Sequence, residues 1–244
     1  MSQETPATRV TRVRHELRRR QLQVLRIEQL SPHVRAITFG GAEIAGFVSA
    51  SFDDHVKLIL PGGDGEPVMR DYTPRHHDAQ RGQLTIEFAL HGDGPAARWA
   101  ARAVPGDTAT IGGPRGSFVV PTDYAWHLFA GDLSALPAMA RRLEELPAGS
   151  RAFVLAQVAE ADRRELPTQA QLTLQWVDTE AGLPAAARAL ALPPGEGYAW
   201  AGGEARSMAA LRDILVNEKG VSRHASRISA YWKHGATGHH EDLA

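Results

Sequence analysis

The chain has 244 residues, of which 43% are hydrophobic and 23% charged, and its formal net charge is −1. This length suffices for one large or two modest domains with apolar cores, and the near-zero charge excludes a general attraction to nucleic acids or anionic membranes. The absence of cysteine excludes disulfides, thiolate zinc sites and cysteine-ligated iron–sulfur clusters in this chain.

Residues 1–20 form a basic segment in which arginines recur from Arg9 to Arg20. The segment has no apolar run of the kind that signal peptides contain, and no later stretch is long enough to cross a bilayer, so we expect a cytoplasmic protein. The arginines could bind an anionic surface, but the favoured interpretation is a solvated or frayed terminus.

Two different rhythms follow along the chain. Between residues 21 and 122, the runs QLQVLRIEQL, VRAITFG, HVKLILPG, QLTIEFAL and TATIGG are typical of short strands and predict a small antiparallel barrel or sandwich. Between residues 123 and 244, apolar strand-like runs alternate in part with the helical patterns SALPAMARRLEEL and ARSMAALRDILVNEKG, the second ending at Gly220. This alternation predicts a parallel sheet covered by helices, with the domain boundary in the PTD segment at residues 121–123.

The stretch RDYTPR, residues 70–75, is the first candidate for binding chemistry. On a strand, Arg70 and Tyr72 lie two residues apart and point to the same face. A cation beside an aromatic ring suits a ligand that has both an anionic part and a flat ring.

Three glycine-containing turns accompany this strand. HGDGPAARW, residues 91–99, leads through Pro95 into a helix, whose first amides could bind a phosphate. GGPRGSF, residues 112–118, projects Arg115 from a turn, and FAGDLSALPAMARRLE runs from a strand into a helix that Ser134 could cap. The last stretch fits the first crossover of a nucleotide-binding domain but lacks G-x-G-x-x-G, so its ligand stays open at this point.

Taken together, RDYT, HGDGPAARW, GPRGSF, AGDLSALPA, WAGGEA and YWKHG resemble the siderophore-interacting protein family of flavin-dependent ferric-siderophore reductases, from about Leu22 to Gly235. The family belongs to the ferredoxin–NADP reductase-like superfamily. The resemblance therefore implies an N-terminal antiparallel Greek-key β-barrel that binds FAD, at residues 21–122. It also implies a C-terminal parallel α/β domain of the NAD(P)H-binding type, at residues 123–244.

The resemblance also implies roles for individual residues. Arg70 would pair with the FAD phosphates, Tyr72 would pack against the ribityl–isoalloxazine part, and Thr73 would hydrogen-bond near N5. The residues expected to bind FAD are Arg70, Asp71, Tyr72, Thr73, His91, Gly94, Pro95, Ala96, Trp99, Asp132, Ser134, Ala135 and Trp232. Those expected to meet NAD(P)H are Arg163, Arg164, Gly203 and Glu204. No side chain is expected to be catalytic, since FAD carries the redox chemistry.

The expected reaction is reduction of a ferric siderophore, which releases ferrous iron. Lys57, Arg115 and Lys233 each lie beside one of the family motifs and are the expected contacts for the anionic chelate. The iron is expected as substrate and not in a protein metal site, although the sequence contains 11 histidines.

Several alternatives stay open at this level. NADPH is favoured over NADH because Arg163 and Arg164 follow a strand where a 2′-phosphate could bind, but a solvated loop fits them equally. Reduced ferredoxin is a further possible donor. The alternative functions are a general NAD(P)H:flavin or quinone-type reductase and a non-catalytic siderophore carrier.

Overall fold

The computed structural model describes residues 9–62, 65–90, 94–236 and 241–243, and they fall into two units. The first, here called the β-unit, contains Arg12–Val119 together with Ala161–Arg164. The second, the α/β unit, contains the residues up to Thr11, Val120–Glu160 and Glu165–Ala244. The chain thus passes from the β-unit to the α/β unit after Val119.

The β-unit is built from nine short strands. They are β1 (Thr11–Arg14), β2 (Arg19–Ser31), β3 (Val34–Gly40), β4 (Val56–Leu60), β5 (Val68–Tyr72), β6 (Pro74–Asp78), β7 (Gln83–Ala89), β8 (Thr108–Gly112) and β9 (Gly116–Val119). β1 pairs with β9, and the other seven form one antiparallel sheet in the order β5-β4-β8-β2-β3-β7-β6. Because Thr73 alone separates the two edge strands, β5 and β6, the sheet has to curl until its edges approach each other.

Period-two alternation explains how this sheet acquires its core. In β2, Arg20, Leu22 and Val24 are buried while the residues between them are exposed. Leu22 and Val24 join a cluster of buried aliphatic and aromatic side chains from all parts of the sheet, among them Phe39 and Phe88. The helix α1 (Pro95–Arg102) packs its buried alanines on this cluster.

The basic N-terminal segment is not frayed from Arg9 onward, so the favoured interpretation of it was wrong there. Arg9 pairs with Asp123 and, at 3.0 Å, with Glu196, and its guanidinium lies 4.4 Å from the Tyr124 ring centroid. In β1, the Arg12 guanidinium lies 4.8 Å from the Phe118 ring centroid. These partners are distant in sequence, which is why the local charge pattern did not reveal them.

The α/β unit has a six-stranded sheet in the order β12-β11-β10-β13-β14-β15. Its strands are β10 (Trp126–Asp132), β11 (Arg151–Gln157), β12 (Gln171–Val177), β13 (Gly197–Glu204), β14 (Ser226–Trp232) and β15 (Glu241–Asp242). The first five pair in parallel and β15 is antiparallel to β14. The prediction of a two-domain chain with an antiparallel sheet followed by an α/β domain is therefore confirmed.

Three α-helices accompany this parallel sheet, namely α2 (Leu136–Glu145), α3 (Gly182–Ala189) and α4 (Ala205–Arg212). α3 was not predicted. α4 continues into a π-helical segment, Asp213–Glu218, and the chain then turns at Gly220, whose φ of +71° favours glycine. Among the described residues, no helix is both long and apolar enough to cross a bilayer.

A fully buried histidine lies in the central strand of the α/β unit. His127 on β10 is 0% exposed, and its Nε2 lies 3.2 Å from the carbonyl oxygen of Thr122, to which the neutral ring can donate. Burial disfavours the charged imidazolium and lowers the pKa of His127 to about 4, although the hydrogen bond to Thr122 opposes the shift. The folded state therefore holds this ring neutral.

We expect the buried His127 to make the protein sensitive to mild acid. Between the unfolded pKa of about 6.5 and the folded value, the unfolded chain binds the proton more readily, so stability is lost as pH falls through this window. This one residue should lower the free energy of unfolding by about 2 kcal/mol between pH 7 and pH 5. Urea unfolding at both pH values would measure it, and His127→Phe should show a clearly smaller difference between them. An equal difference in the variant would assign the acid sensitivity to other groups.

Candidate functional site

The RDYT stretch forms the end of edge strand β5. Cross-strand register pairs Arg70 with Leu58 and Tyr72 with Val56, and both of those β4 residues are fully buried. Arg70 and Tyr72 therefore share the face that turns toward the core, whereas Asp71 points to the opposite face. The strand thus offers a guanidinium and a phenol ring side by side, as its sequence predicts.

Tyr72 and Arg70 are each suited to a different part of a ligand. The Tyr72 ring packs 4.5 Å from the ring centroid of Phe88, and burial raises the pKa of its hydroxyl to about 12 although the charge of Arg70 opposes the shift. The phenol is hence an O–H donor at neutral pH. The half-buried Arg70 donates from Nη1 to the carbonyl oxygen of Met69 at 2.9 Å, which is its one hydrogen bond within the described part of the chain. Its remaining N–H groups can bind an anion.

The start of α1 lies on the same unit and is linked to Tyr72 through aromatic packing. Gly94 is the exposed N-cap and Pro95 is at the first position. No side chain of the described residues caps the helix, so among them amides of the first turn are open to an acceptor. Trp99 stacks on Phe39 at 6.1 Å and lies 5.8 Å from Phe88, which also touches Tyr72. Phe88 thereby connects the two predicted binding elements.

Two other predicted residues of the HGDGPAARW stretch, Ala96 and Trp99, pack in the core of the β-unit. His91 lies outside the described residues. Trp99, which was expected to contact FAD, packs against the core of the β-unit, so it fixes the position of α1. Ala96 is 4% exposed and packs in the same core. Phe88 was missed by the sequence reasoning, and its only signal there is its place in the apolar run LTIEFAL.

The predicted contacts for an anionic substrate differ in their surroundings. Lys57 on β4 lies opposite Asp71 on β5, and Nζ is 2.6 Å from Oδ2. This pair occupies the face opposite to Arg70 and Tyr72. Arg115 is exposed in the turn before β9, and Lys233 is exposed after β14 in the α/β unit.

Asp132, at the end of β10, is the best-connected polar side chain of the α/β unit's candidate site. It is 8% exposed and accepts four hydrogen bonds. Oδ1 accepts from Ser134 N at 2.9 Å and Ser134 Oγ at 2.5 Å, and Oδ2 accepts from Glu204 N at 3.0 Å and Trp232 Nε1 at 2.8 Å. Burial raises the pKa of Asp132, and these four hydrogen bonds oppose the shift.

Ser134 does not cap α2, so this prediction was wrong. The N-cap of α2 is Ala135, which is fully buried and provides no side-chain acceptor. The Ser134 hydroxyl instead donates to Asp132, because the carboxylate two residues earlier accepts from both the amide and the hydroxyl of Ser134. The start of α2 is thus organised around a carboxylate of the chain itself.

The end of β13 supplies the other predicted residues of this region. Gly203 has a φ of +150°, and a Cβ there would lie 2.5 Å from Asp132 Oδ2, so the carboxylate can approach only a glycine. Glu204 is 2% exposed and caps α4 by accepting from the amides of Arg206 and Ser207 at 2.6 and 3.1 Å. Its Oε1 is buried without a hydrogen-bond partner among the described residues, and it could accept from a ligand's N–H or O–H group.

Arg164 has a different role from the one expected. It belongs to the β-unit, where its guanidinium pairs with Glu87. The other carboxylate oxygen of Glu87 accepts from Arg75 Nε at 3.1 Å, and both Glu87 and Arg75 are buried. Arg164 is therefore engaged in a buried ion-pair cluster, and neither a solvated loop nor an open 2′-phosphate contact describes it. Arg163 is half-buried.

Within the described ranges, no group of three or more potential metal-ligating side chains is found. His76 and His77 lie on β6 and not in a loop, whereas His239 and His240 fall outside the described residues. Other polar groups of the described residues suit a flavin and a dinucleotide. Open N–H groups at Arg70 and α1 suit a diphosphate, and the unpaired Glu204 Oε1 suits a ligand donor.

Comparison with known proteins relates both units to one family. The siderophore-interacting FAD-binding domain matches residues 23–66 and 61–118, and the siderophore-interacting protein domain matches residues 124–235. The NADPH-dependent ferric-chelate reductase of Escherichia coli K12 is 36% identical, over 91% of this chain and 95% of that protein. The ferric vibriobactin reductase ViuB of Vibrio cholerae is 31% identical, over 91% and 93%.

Solved structures agree with this relationship. A siderophore utilization protein from T. fusca superimposes with a TM-score of 0.88 at 33% identity, over 94% of this chain and 98% of that one. The siderophore-interacting protein SipS from Aeromonas hydrophila superimposes with a TM-score of 0.82 at 32% identity, over 90% and 93%. With both domain models and near full-length relatives matched, this chain belongs to the siderophore-interacting protein family.

Proposed function

We propose that this protein is an FAD-dependent reductase of ferric siderophores. The observation that carries the proposal is the shared placement of Arg70, Tyr72 and the α1 start in the β-unit, linked through Phe88. A guanidinium, a protonated phenol and uncapped helix amides match the diphosphate and ring of a flavin dinucleotide. The names of the matched relatives, which are ferric-chelate and vibriobactin reductases, support the same reaction.

In this proposal the residues of the protein bind and orient FAD. Arg70 and the first amides of α1, around Pro95, would bind the FAD diphosphate, the Tyr72 ring would pack against the ribityl–isoalloxazine part, and Thr73 would hydrogen-bond near N5. When bound, FAD supplies the redox chemistry, since a flavin accepts a hydride and passes electrons on one at a time. Tyr72 keeps its proton at neutral pH and so can donate a hydrogen bond without adding negative charge.

The electron donor is proposed to be NADPH, with its ring end at the carboxyl edge of the parallel sheet. Glu204 ends β13 there, and its unpaired Oε1 accepts a hydrogen bond from the donor. The relative from Escherichia coli is named an NADPH-dependent ferric-chelate reductase, which supports this choice over NADH. Contact of Arg163 with the 2′-phosphate is part of the same proposal. Reduced ferredoxin is the alternative donor.

The substrate side of the proposal rests on charge. Lys57, Arg115 and Lys233 are exposed cations beside family motifs, and they would attract an anionic ferric chelate. Ferrous iron binds the chelator's oxygen ligands less tightly than ferric iron, so reduction also releases the metal. The proposal places this activity in the cytoplasm and requires neither a membrane nor a nucleic acid.

The finer fold assignment belongs to the same proposal. We assign the curled sheet of the β-unit to a Greek-key barrel at residues 21–122 and the rest, residues 123–244, to a parallel nucleotide-binding domain. The strand order of each sheet supports this assignment.

An anaerobic electron-transfer assay tests the proposed function. The FAD-loaded protein is reduced with dithionite and mixed with a ferric siderophore, while flavin absorbance and ferrous-iron capture are followed together. We expect flavin reoxidation with matching ferrous iron, and weaker chelate affinity with unchanged FAD content after Lys57→Ala and Lys233→Ala together. Bound flavin that stays reduced would instead favour a general flavin or quinone-type reductase, and failure to bind FAD would favour a siderophore carrier.

A further inference from the structure

The indole of Trp232 donates a hydrogen bond to Asp132 across the intervening strand β13. Trp232 is at the end of β14 and Asp132 at the end of β10, and β13 lies between these two strands in the sheet. Neighbouring strands are about 4.8 Å apart, so the ends of β10 and β14 are separated by roughly 10 Å. Since Trp232 Nε1 donates to Asp132 Oδ2 at 2.8 Å, the indole has to lie over the carboxyl end of β13.

The sequence of β13 leaves room for this crossing. Its last residues before Glu204 are Gly202 and Gly203. A Cβ on Gly203 would collide with the Asp132 carboxylate at 2.5 Å, and a Cβ on Gly202 would lie 2.9 Å from the Tyr231 ring. The two glycines therefore allow the carboxylate and the aromatic side chains of β14 to close over the strand end.

The strand end that the indole covers is the place where a ligand would bind. From β10 the chain builds β11 and β12 on one side and then returns to place β13 on the other side of β10. In open parallel sheets, ligands bind outside the carboxyl ends at such a switch point. The buried Glu204 Oε1, which has no partner in the described part of the chain, lies at this same strand end.

We propose that Asp132 is a positioning residue whose carboxylate holds the indole of Trp232 as a cover over the crevice for the dinucleotide donor. The identity of that donor rests on the proposed function, but the holding contact does not. Asp132 is buried, so it acts on the donor through Trp232, which is half-buried. When the indole leaves, Asp132 keeps its three hydrogen bonds from Ser134 and Glu204, so opening costs this carboxylate one hydrogen bond.

The first test observes the holding contact directly in the FAD-loaded protein. The ¹⁵N-labelled indole N–H of Trp232, assigned through its loss in Trp232→Phe, should exchange with solvent at least tenfold faster in Asp132→Asn. The amide must turn its NH₂ group toward some of the donors that now face a carboxylate, so at least one hydrogen bond is lost. Ser229→Ala, which removes the hydroxyl bonded to Asp242 from the same strand β14, is the matched control and should leave the exchange rate unchanged. Unaltered exchange in Asp132→Asn would overturn the proposal.

The second test measures whether the indole of Trp232 hinders reduction of the bound flavin by NADPH. In stopped-flow reduction of the bound flavin, Asp132→Asn and Trp232→Phe should each lower the half-saturating NADPH concentration three- to tenfold. The double variant should gain nothing further, because both changes release the same contact. A raised half-saturating concentration, or additive effects in the double variant, would contradict the proposal.

The two tests also separate this proposal from the proposed function. If ferric siderophore fails to reoxidise the parent protein, the reductase assignment fails, while the indole exchange and the NADPH titration still report on the cover. If Asp132→Asn does not fold, Trp232→Phe alone decides, since it removes the indole N–H and keeps a smaller aromatic ring at a half-buried position.

Discussion

Replacing Arg70 by alanine is expected to weaken FAD binding by about 100-fold. Within the described residues Arg70 makes one hydrogen bond, to the Met69 carbonyl, so most of its N–H groups are open to the diphosphate. Two charge-assisted hydrogen bonds of about 1.5 kcal/mol each amount to about 3 kcal/mol, which is roughly two orders of magnitude in affinity. Titration of the flavin-free protein with FAD, followed by flavin fluorescence, measures the change.

The control for Arg70→Ala removes the same charge from another place on the β-unit. Arg81 lies in the turn after β6, is highly exposed, and has Nε 3.7 Å from Asp78 Oδ2. Arg81→Ala should leave FAD affinity within about twofold, because an exposed charge at a distance is screened by salt. If the two variants lost affinity equally, Arg70 would act only through net charge, and the direct contact with the diphosphate would be wrong.

Local pattern was sufficient to place the elements that would hold FAD. The alternation in VMRDY puts Arg70 and Tyr72 on one face, and the observed register with β4 has them there. Gly94 and Pro95 likewise predict the start of a helix, and α1 begins at Pro95. Both features depend on residues within a few positions of each other, so the sequence alone carries them.

Ion-pair and hydrogen-bond partners that are distant in sequence could not be predicted from local pattern. Asp71 was assigned to the cofactor and Lys57 to the substrate, yet the two face each other across β4 and β5. Arg164 was weighed between a phosphate contact and a solvated loop, whereas its partner Glu87 is 77 residues away. Trp232 and Asp132 are 100 residues apart. The pairings of Asp71 and of Trp232 depend on the order of strands in a sheet, and that of Arg164 depends on where a loop packs. Hydrophobic periodicity specifies neither.

The wrong N-cap prediction for Ser134 shows that even a local pattern can fail when a neighbouring side chain offers a stronger hydrogen-bond partner. A serine just before a helix is a common N-cap, but Asp132 two residues earlier offers a stronger, charged acceptor. The carboxylate accepts from the Ser134 amide and hydroxyl, and the helix begins one residue later with Ala135 as N-cap. The same carboxylate also accepts from Trp232, so the failed cap and the proposed cover over β13 have one cause.

Glu87→Gln is expected to be the most destabilising of the substitutions considered for the β-unit. Glu87 lies between Arg75 and Arg164, with side-chain exposures of 6% for Glu87 and 7% for Arg75. The amide keeps the shape of the side chain but removes the negative charge that lies between the two guanidinium groups. Breaking a buried ion pair by removing one partner costs about 3–5 kcal/mol, so the free energy of unfolding should fall by that amount in a urea titration at pH 7.

The matched control for Glu87→Gln is Glu218→Gln, which removes the same charge from an exposed pair with Arg188, where Nη2 and Oε1 are 2.8 Å apart. Solvent screens that pair, so its loss should change stability far less. The comparison isolates burial as the reason for the difference, because the substitution and the change in net charge are identical. A small and equal effect in both variants would mean that water reaches Glu87 in solution, and the ion-pair cluster would then not anchor Arg164 to the β-unit.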